Sequence, residues 1–334
     1  MSRLINPHMI AVSVATIWTS PASPREIDLP ALRNPVLVRE WLSSMSVEDR
    51  LQLHDRNAVQ TQALYGTLVE VVEEQGEWVQ IAIPSQLSGK DRLGYPGWMP
   101  KCQIVPANET DSEKTDDKQI GGAQIAVEES AVKEWDGKGN EQQKKKAMMT
   151  SKSTFLYRTP GEKGMEVFFL TELPVLGEEE EWVSVATPHG PQLIRTEDAV
   201  LYRTDEELRP AGGQDIVETG KRFLGLPYLW GGMSSLGYDC SGFAYSMHRA
   251  HGIIIPRDAG EQAKYGWLID KENLQPGDLL FFAYEKGKGA IHHVGIYAGN
   301  GIMLHSPKTG KSIELLPLAG TVYEEEYCLT RRYW

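Results

Sequence analysis

Apolar and polar residues alternate in short runs through roughly the first 200 positions, which is typical of small β-structures. The pattern occurs twice. Residues 67–81 align with residues 171–185 at a shift of 104 positions, and in each copy an acidic turn leads to a strand that begins with a tryptophan, Trp78 or Trp182. The sequence therefore predicts two small, related β-domains.

The two copies differ in length near their beginnings. Their upstream strands, at 17–21 and 156–160, align at a shift of 139, so the first copy carries about 35 extra residues between its first two strands. This insertion, at roughly 22–58, includes a helix-like stretch at 35–44 with Pro35 near its first turn. We therefore predict a helical insertion in the first β-domain.

From about residue 204 the pattern changes to helices followed by strands. Apolar spacing predicts helices over 216–224 and 241–251, and strand-like segments follow at 278–283, 294–298, 301–305 and 327–331. Helices followed by an antiparallel meander make an α+β domain. The predicted organisation is a first β-domain at 1–106, an acidic connection at 107–145, a second β-domain at 146–205 and an α+β domain at 206–334.

Composition excludes some partners. The chain has 334 residues and a net charge of -12, whereas nucleic acids and anionic membranes are bound by clusters of Lys and Arg. No run of about 18 apolar residues occurs, so nothing in the sequence predicts a membrane span. We expect no nucleic-acid partner, no membrane association, no cofactor and a monomeric chain.

Cysteine usage indicates a reducing compartment. The three cysteines, Cys102, Cys240 and Cys328, are too few and too scattered for a disulfide framework. The first 18 residues lack the uninterrupted apolar core of a signal peptide. We predict a cytoplasmic protein, or a secreted one if an export signal has been removed, and we expect Cys102 and Cys328 to be buried free thiols.

Cys240 is the residue whose surroundings suggest chemistry. It follows Asp239, a helix-capping residue type, so it would begin a helix. Unpaired N–H groups and the helix dipole at that position favour a thiolate and predict a lowered pKa. A buried structural thiol explains this stretch equally well.

A reactive cysteine needs a base, and histidines near the end of the chain supply candidates. His292 and His293 precede an apolar strand, and strand alternation lets only one of them face Cys240. His305 ends the next strand, so Cys240, His293 and His305 can act as nucleophile, base and orienting group. A Cys-His-His zinc site is the alternative, but no spaced fourth ligand accompanies it, and we predict no metal.

Six segments of the last domain stand in an order and at a spacing that resemble the NlpC family of cell-wall cysteine peptidases over about 214–331. These segments are Tyr228-Leu-Trp-Gly-Gly232, Asp239-Cys-Ser-Gly-Phe243, Ile255-Pro-Arg-Asp-Ala259 with Gln262, Leu274 to Phe282, His293-Val-Gly-Ile-Tyr297 and Leu304-His-Ser306. The resemblance implies an α+β papain-like catalytic domain, with helices packed on an antiparallel sheet. The two β-domains resemble small all-β SH3-like barrels of bacteria, although the closing strand at 94–100 has a dissimilar counterpart at 190–195.

The resemblance also implies roles for individual residues. Cys240 attacks, His293 is the base and His305 orients it. Tyr228 and the backbone of Ser241 would support the thiolate or the oxyanion, and Trp230 and Asp239 would line the substrate groove.

The domain combination is similar to the γ-D-glutamyl-L-diamino acid endopeptidases of murein peptide recycling, which act on peptidoglycan-derived peptides with a free N-terminal L-Ala. Asp258 would then meet the substrate amine, and Tyr95 of the first domain would close the pocket. Residues 57–62, where some relatives carry a glutamate for the amine, contain no acid here. The alternatives are a secreted endopeptidase that acts on intact peptidoglycan and an inactive protein that binds wall peptides.

Overall fold

The computed structural model describes residues 5–107, 145–203 and 212–334, so the predicted acidic connection lies almost entirely outside the described residues. The strands of the first two domains are β1 (Pro7–Ile10), β2 (Val14–Trp18), β3 (Val59–Leu64), β4 (Leu68–Gln75), β5 (Trp78–Ile83), β6 (Tyr95–Pro100), β7 (Ile104–Pro106), β8 (Lys145–Met149), β9 (Ser153–Tyr157), β10 (Lys163–Phe168), β11 (Glu172–Glu178), β12 (Trp182–Thr187), β13 (Gly190–Arg195) and β14 (Ala199–Arg203). Helices α1 (Val38–Ser44) and α2 (Val47–Asp55) lie between β2 and β3.

The third domain contains the remaining elements. Its helices are α3 (Gly213–Lys221), α4 (Cys240–Arg249), α5 (Ala259–Gln262), α6 (Tyr284–Gly287) and α7 (Val322–Glu326). Its strands are β15 (Met233–Ser234), β16 (Gly237–Tyr238), β17 (Trp267–Leu268), β18 (Leu279–Ala283), β19 (Ile291–Gly299), β20 (Ile302–His305), β21 (Glu314–Pro317) and β22 (Tyr327–Arg332). Among the described residues, no helix has the length and apolar character needed to cross a membrane.

The first two domains share one strand topology. The order β3-β2-β6-β5-β4-β1-β7 in the first sheet corresponds strand for strand to β10-β9-β13-β12-β11-β8-β14 in the second. The dissimilar segment at 190–195 forms β13, which pairs with β12 along its whole length as β6 pairs with β5. Ladder hydrogen bonds use backbone groups, so a closing strand forms without the Gly-Trp signature of the first copy.

The extra residues of the first barrel form a helical layer between β2 and β3. Helix α2 begins with a capping box, in which Ser46 and Asp49 each accept a hydrogen bond from the other's backbone N–H. The layer buries Trp41 and Leu53 in one apolar cluster with Phe168 of the second barrel and Leu229 of the third domain. The insertion therefore holds the three domains together.

The third domain packs its helices on an antiparallel sheet of order β17-β22-β18-β19-β20-β21. Phe243 and Met247 lie one helical turn apart on α4 and are buried against this sheet together with Leu279, Val294 and Leu304. The sheet face under α4 is therefore the core of the domain, and the ends of β19 and β20 lie beside the helix.

Strand β3 of the first barrel lies against residues 230–234 of the third domain. The indole of Trp230 donates a hydrogen bond to the Val59 carbonyl at 3.1 Å, and the Met233 N–H donates to Gln62 Oε1 at 3.1 Å. Gly231 has a φ of +72°, and a Cβ there would lie 2.6 Å from the Val59 side chain. Glycine is therefore required for the two domains to approach this closely.

Arg257 forms a buried ion pair within the third domain and also hydrogen-bonds the first barrel. Its Nη2 lies 2.7 Å from Asp239 Oδ2, and its Nε donates to Thr61 Oγ1 of the first barrel at 3.0 Å. Asp239 in turn accepts from the Gly242 N–H at 2.6 Å and caps α4. Burial by itself lowers the pKa of the Arg257 guanidinium, but the Asp239 carboxylate more than offsets this, and the pKa is raised.

Removing the cation should leave Asp239 as an unpaired charge in the interior. We expect Arg257→Met to lower the free energy of unfolding by about 3–5 kcal/mol, because breaking a buried ion pair costs that much. The control is Arg158→Met, at an exposed Arg158–Glu162 pair, for which we expect less than about 1 kcal/mol. Chemical denaturation measures both, and equal effects would contradict the importance of the buried pair.

His248 is buried in α4 and donates from Nδ1 to the Ala244 carbonyl at 2.8 Å. Burial lowers its pKa from 6.5 to about 4. Between these two pH values the imidazole is protonated in the unfolded chain and neutral in the folded protein. Above pH 6.5 the titration of His248 should not change the free energy of unfolding. As the pH falls from 6.5 towards 4, it should lower that free energy by roughly 3 kcal/mol. We expect the free energy of unfolding of His248→Leu to fall less steeply between pH 6.5 and 4 than that of the unsubstituted protein. The difference between the two proteins at pH 8, where His248 is neutral in both states, gives the effect of the substitution on packing alone. An unchanged slope would contradict the argument.

Candidate active site

Cys240 is the first residue of α4 and is partly exposed. Burial raises the pKa of its thiol to about 12, the neighbouring Asp239 carboxylate adds to the shift, and the backbone N–H groups of Val294 and Ser241 oppose it. The sequence-based expectation of a lowered pKa was therefore wrong. Burial of the sulfur raises the pKa more than the two backbone N–H groups lower it.

His293 and His305 form the pair that the sequence predicts. They lie on the adjacent strands β19 and β20, and His293 Nε2 is 2.8 Å from His305 Nδ1. Both are buried, and burial lowers the pKa of His305 to about 4 and that of His293 well below 6.5. The second nitrogen of His293, Nδ1, is left for another partner. Two neutral imidazoles therefore stand in series beside the α4 N-terminus.

His292 points to the opposite face of β19. Its ring stacks on Tyr284 with 4.2 Å between centroids, and its Nε2 lies 3.1 Å from Glu326. Alternation along the strand thus separates the two neighbouring histidines, and only His293 belongs to the pair with His305.

Two further residues lie near the histidines, and no sequence pattern predicts either of them. The ring of Tyr323, on α7, lies 5.1 Å from that of His293 and 5.3 Å from that of His305. Glu314 stands directly opposite His305 in the pairing of β20 with β21, and its Oε1 is 3.6 Å from His305 Nε2. The five-residue helix and the four-residue strand that carry them are too short to give a periodic signal.

The residues flanking Cys240 in the predicted site differ in exposure. Tyr228 is buried, and burial raises the pKa of its phenol well above 10, with the nearby Cys240 adding to the shift. The Ser241 hydroxyl is buried and accepts a hydrogen bond from Arg257 at 2.9 Å. Trp230 is half-buried, and its ring meets that of His54 edge-on at 4.3 Å, at the border with the first barrel.

Asp239 differs from the sequence-based expectation of a groove-lining side chain. It is 6% exposed, and its oxygens accept hydrogen bonds from the N–H groups of Gly231 and Gly242 and from Arg257. Its carboxylate is thus occupied by internal partners, which makes Asp239 the support of α4.

Tyr95 and Asp258 come together across the domain boundary, although 163 positions separate them in the chain. The Tyr95 hydroxyl donates to both Asp258 oxygens, at 2.9 and 3.1 Å. Lys90 also reaches this point. Its ammonium hydrogen-bonds Tyr95, lies 3.1 Å from Asp258 Oδ2 and 3.0 Å from Gln60 Oε1, and sits 4.2 Å from the Tyr95 ring centroid. A carboxylate, a phenol and an amide oxygen therefore surround one primary ammonium.

The other two cysteines lie away from the histidine pair. Cys102 is exposed, contrary to expectation, and Cys328 is partly buried with its sulfur 3.3 Å from the Phe281 carbonyl. Over residues 5–107, 145–203 and 212–334, no cluster of three or more His, Cys, Asp or Glu residues is placed to hold a metal ion.

Comparison with known proteins gives consistent matches over the chain. A family model described as NlpC/P60 family matches residues 225–332, and one described as YKFC SH3b2 domain matches residues 149–202. The gamma-D-glutamyl-L-lysine dipeptidyl-peptidase of Bacillus subtilis (strain 168) is 47% identical over 97% of this chain and 98% of its own length. A protein of the same name from Bacillus cereus is 39% identical over 97% of this chain and 90% of its own length.

A solved structure matches equally fully. The crystal structure of an NlpC/P60 family protein from Bacillus cereus has a TM-score of 0.86 and 38% identity, and the match covers 98% of this chain and 99% of that one. The predicted resemblance is thereby confirmed, together with the papain-like α+β domain preceded by SH3-like barrels. The chain belongs to the NlpC/P60 family.

Proposed function

We propose that this cysteine peptidase hydrolyses the γ-D-glutamyl-L-diamino acid bond of peptidoglycan stem peptides that begin with a free L-Ala. Its two full-length relatives are named gamma-D-glutamyl-L-lysine dipeptidyl-peptidase, and a dipeptidyl-peptidase by definition removes two residues from a free N-terminus. The observation that carries the proposal is the Lys90 ammonium held by Asp258 and Tyr95, because a pocket that holds one primary ammonium suits the N-terminus of such a peptide.

The first step transfers a proton as the carbon–sulfur bond forms. Cys240 and His293 are both neutral at rest, so Nδ1 of His293 takes the thiol proton while Sγ attacks the γ-carbonyl carbon of D-glutamate. His305, bonded to His293 Nε2, keeps the ring in position. The contact between the two imidazoles favours an active enzyme over an inactive peptide-binding protein.

The second step expels the diamino acid. The oxyanion on the attacked carbonyl is stabilised by the Ser241 backbone N–H and the Tyr228 hydroxyl, whose raised pKa keeps the phenol a donor. The His293 imidazolium gives its proton to the leaving amine, and a thioester to Cys240 remains. Water then adds to the thioester with His293 as base, which releases the dipeptide and restores the thiol.

The amine pocket makes the substrate's N-terminus part of recognition. Asp258 and Tyr95 supply the charge and the acceptor, and Trp230 continues the wall between the barrel and the third domain. Gln60, in the segment that lacks an acid, adds an uncharged acceptor, so Asp258 is the carboxylate that pairs the substrate amine. The position after D-glutamate takes an L-diamino acid, as the relatives' name indicates for L-lysine.

Recognition of a free amine also suggests where the enzyme acts. Stem peptides of intact peptidoglycan carry their L-Ala nitrogen in an amide bond, which cannot ion-pair with Asp258. We propose that the enzyme acts in the cytoplasm on released peptides. Cell fractionation with immunodetection tests the location, and recovery in the wall fraction would contradict it.

We expect acetylation of the N-terminus to abolish turnover of L-Ala-γ-D-Glu-L-Lys, because it removes the charge that Asp258 pairs. The loss in kcat/KM should be about tenfold or more, as expected for loss of a charge-assisted hydrogen bond at a partly exposed carboxylate. Asp258→Asn should weaken cleavage of the free peptide and narrow its advantage over the acetylated one. Chromatographic assay of lysine release measures both. Equal turnover of the two peptides, or equal release from intact sacculi, would refute the amine requirement.

We expect Lys90→Met to lower KM for the free tripeptide by about threefold to tenfold with kcat unchanged, because the substrate amine no longer displaces a resident ammonium. Lys101→Met is the matched control, since Lys101 pairs with Glu74 at an exposed site of the same barrel. Steady-state kinetics separates the two constants. A raised KM in Lys90→Met would mean that Lys90 assists binding of the peptide.

A further inference from the structure

The two catalytic imidazoles work in only one of their two proton arrangements. His293 Nε2 and His305 Nδ1, 2.8 Å apart, share one hydrogen. If His293 carries it, the neutral ring has a lone pair on Nδ1 for the Cys240 proton. If His305 carries it, the proton of His293 must sit on Nδ1, and the base is blocked.

The choice depends on the far nitrogen of His305. A neutral imidazole has one N–H, so His305 accepts at Nδ1 only when its hydrogen is on Nε2. This Nε2 atom is buried and has no hydrogen-bond partner among the described residues. An N–H in that position needs an acceptor, because an unsatisfied buried donor is costly.

Glu314 is placed to be that acceptor. Its Oε1 is 3.6 Å from His305 Nε2, and the two residues are directly paired across β20 and β21, so their side chains leave the same face of the sheet. A carboxylate accepts and does not donate, so it selects the Nε2–H form of His305. At 3.6 Å the two atoms are within ion-pair distance, at which the carboxylate attracts an N–H hydrogen electrostatically.

We propose that Glu314 is a positioning residue, whose carboxylate holds the hydrogen on His305 Nε2 and so leaves Nδ1 of His293 free to act as the base. The proposal rests on the assignment of Cys240 and His293 as the catalytic pair. It extends the series beyond the three predicted residues, to Cys240, His293, His305 and Glu314.

The other groups that face His305 do not replace Glu314. His293 approaches from β19 and occupies Nδ1, and Tyr323 approaches from α7 with its ring at 89° to the imidazole and 5.3 Å between centroids. Tyr323 brings an uncharged ring to the imidazole, whereas Glu314 brings a carboxylate within ion-pair distance of Nε2. Glu314 is about half exposed at 47%, so water takes over part of its role when it is removed.

The test replaces Glu314 and follows both kinetics and the histidine tautomer. We expect Glu314→Ala to lower kcat for the free tripeptide about tenfold with KM unchanged. The loss should be smaller than that seen when a fully buried triad acid is replaced, because water can accept the His305 N–H in place of Glu314. Glu314→Gln, whose amide oxygen can still accept, should retain kcat within about threefold. Glu325→Ala is the control, since it removes the same charge from an exposed site on α7.

The tautomer is read from ring-15N spectra of the unsubstituted full chain and of Glu314→Ala. We expect His305 to be protonated on Nε2 in the unsubstituted protein and to lose that preference in the variant. A His305 protonated on Nδ1 in the unsubstituted protein overturns the proposal, even if the variant does not fold, and so does an unchanged kcat in a folded Glu314→Ala. Absence of tripeptide cleavage by the unsubstituted protein would instead refute the proposed function, and the spectra would still decide the tautomer.

Discussion

A buried ion pair between Arg257 and Asp239 supports the helix that carries Cys240 and connects it to the first barrel. An unpaired charge in the interior would be strongly destabilising, so each of the two residues requires the other. The carboxylate caps the helix that begins at Cys240, and the guanidinium reaches Thr61 on the first barrel. The pair therefore links the N-terminus of α4 to the first barrel, alongside the Trp230–Val59 and Met233–Gln62 hydrogen bonds and the shared apolar cluster.

Much of the fold was predictable because its signals are local. The repeat at a shift of 104 corresponds to two sheets of identical strand order, and alternation along a strand was enough to separate His292 from His293. The family resemblance was also accessible, since it depends on short segments whose order and spacing are visible in the chain. The Gly-Trp signature is not needed to predict the closing strand, because β13 closes the second barrel without it.

The properties of the site that escaped prediction depend on contacts between distant segments. The direction of the Cys240 pKa shift follows from burial, which a helix N-terminus in the sequence does not reveal. The resemblance placed Asp239 in the substrate groove, and its partner Arg257, 18 positions further along, gives no local signal of the buried pair. Likewise, neither Lys90 nor Glu314 belongs to a recognisable motif. The role proposed for each depends on its contact with a residue of another domain or strand, Asp258 or His305.

Strand β3 docks against residues 230–234, so the first barrel forms one side of the boundary at which the proposed amine site lies. In the proposed mechanism the third domain supplies the nucleophile and the base, whereas the first barrel contributes Tyr95 and Lys90 beside the proposed amine site. Chain-end recognition and bond cleavage can consequently diverge independently in evolution. The two barrels share one strand order, so a role in selectivity can reside in the first without a change in the fold that both adopt.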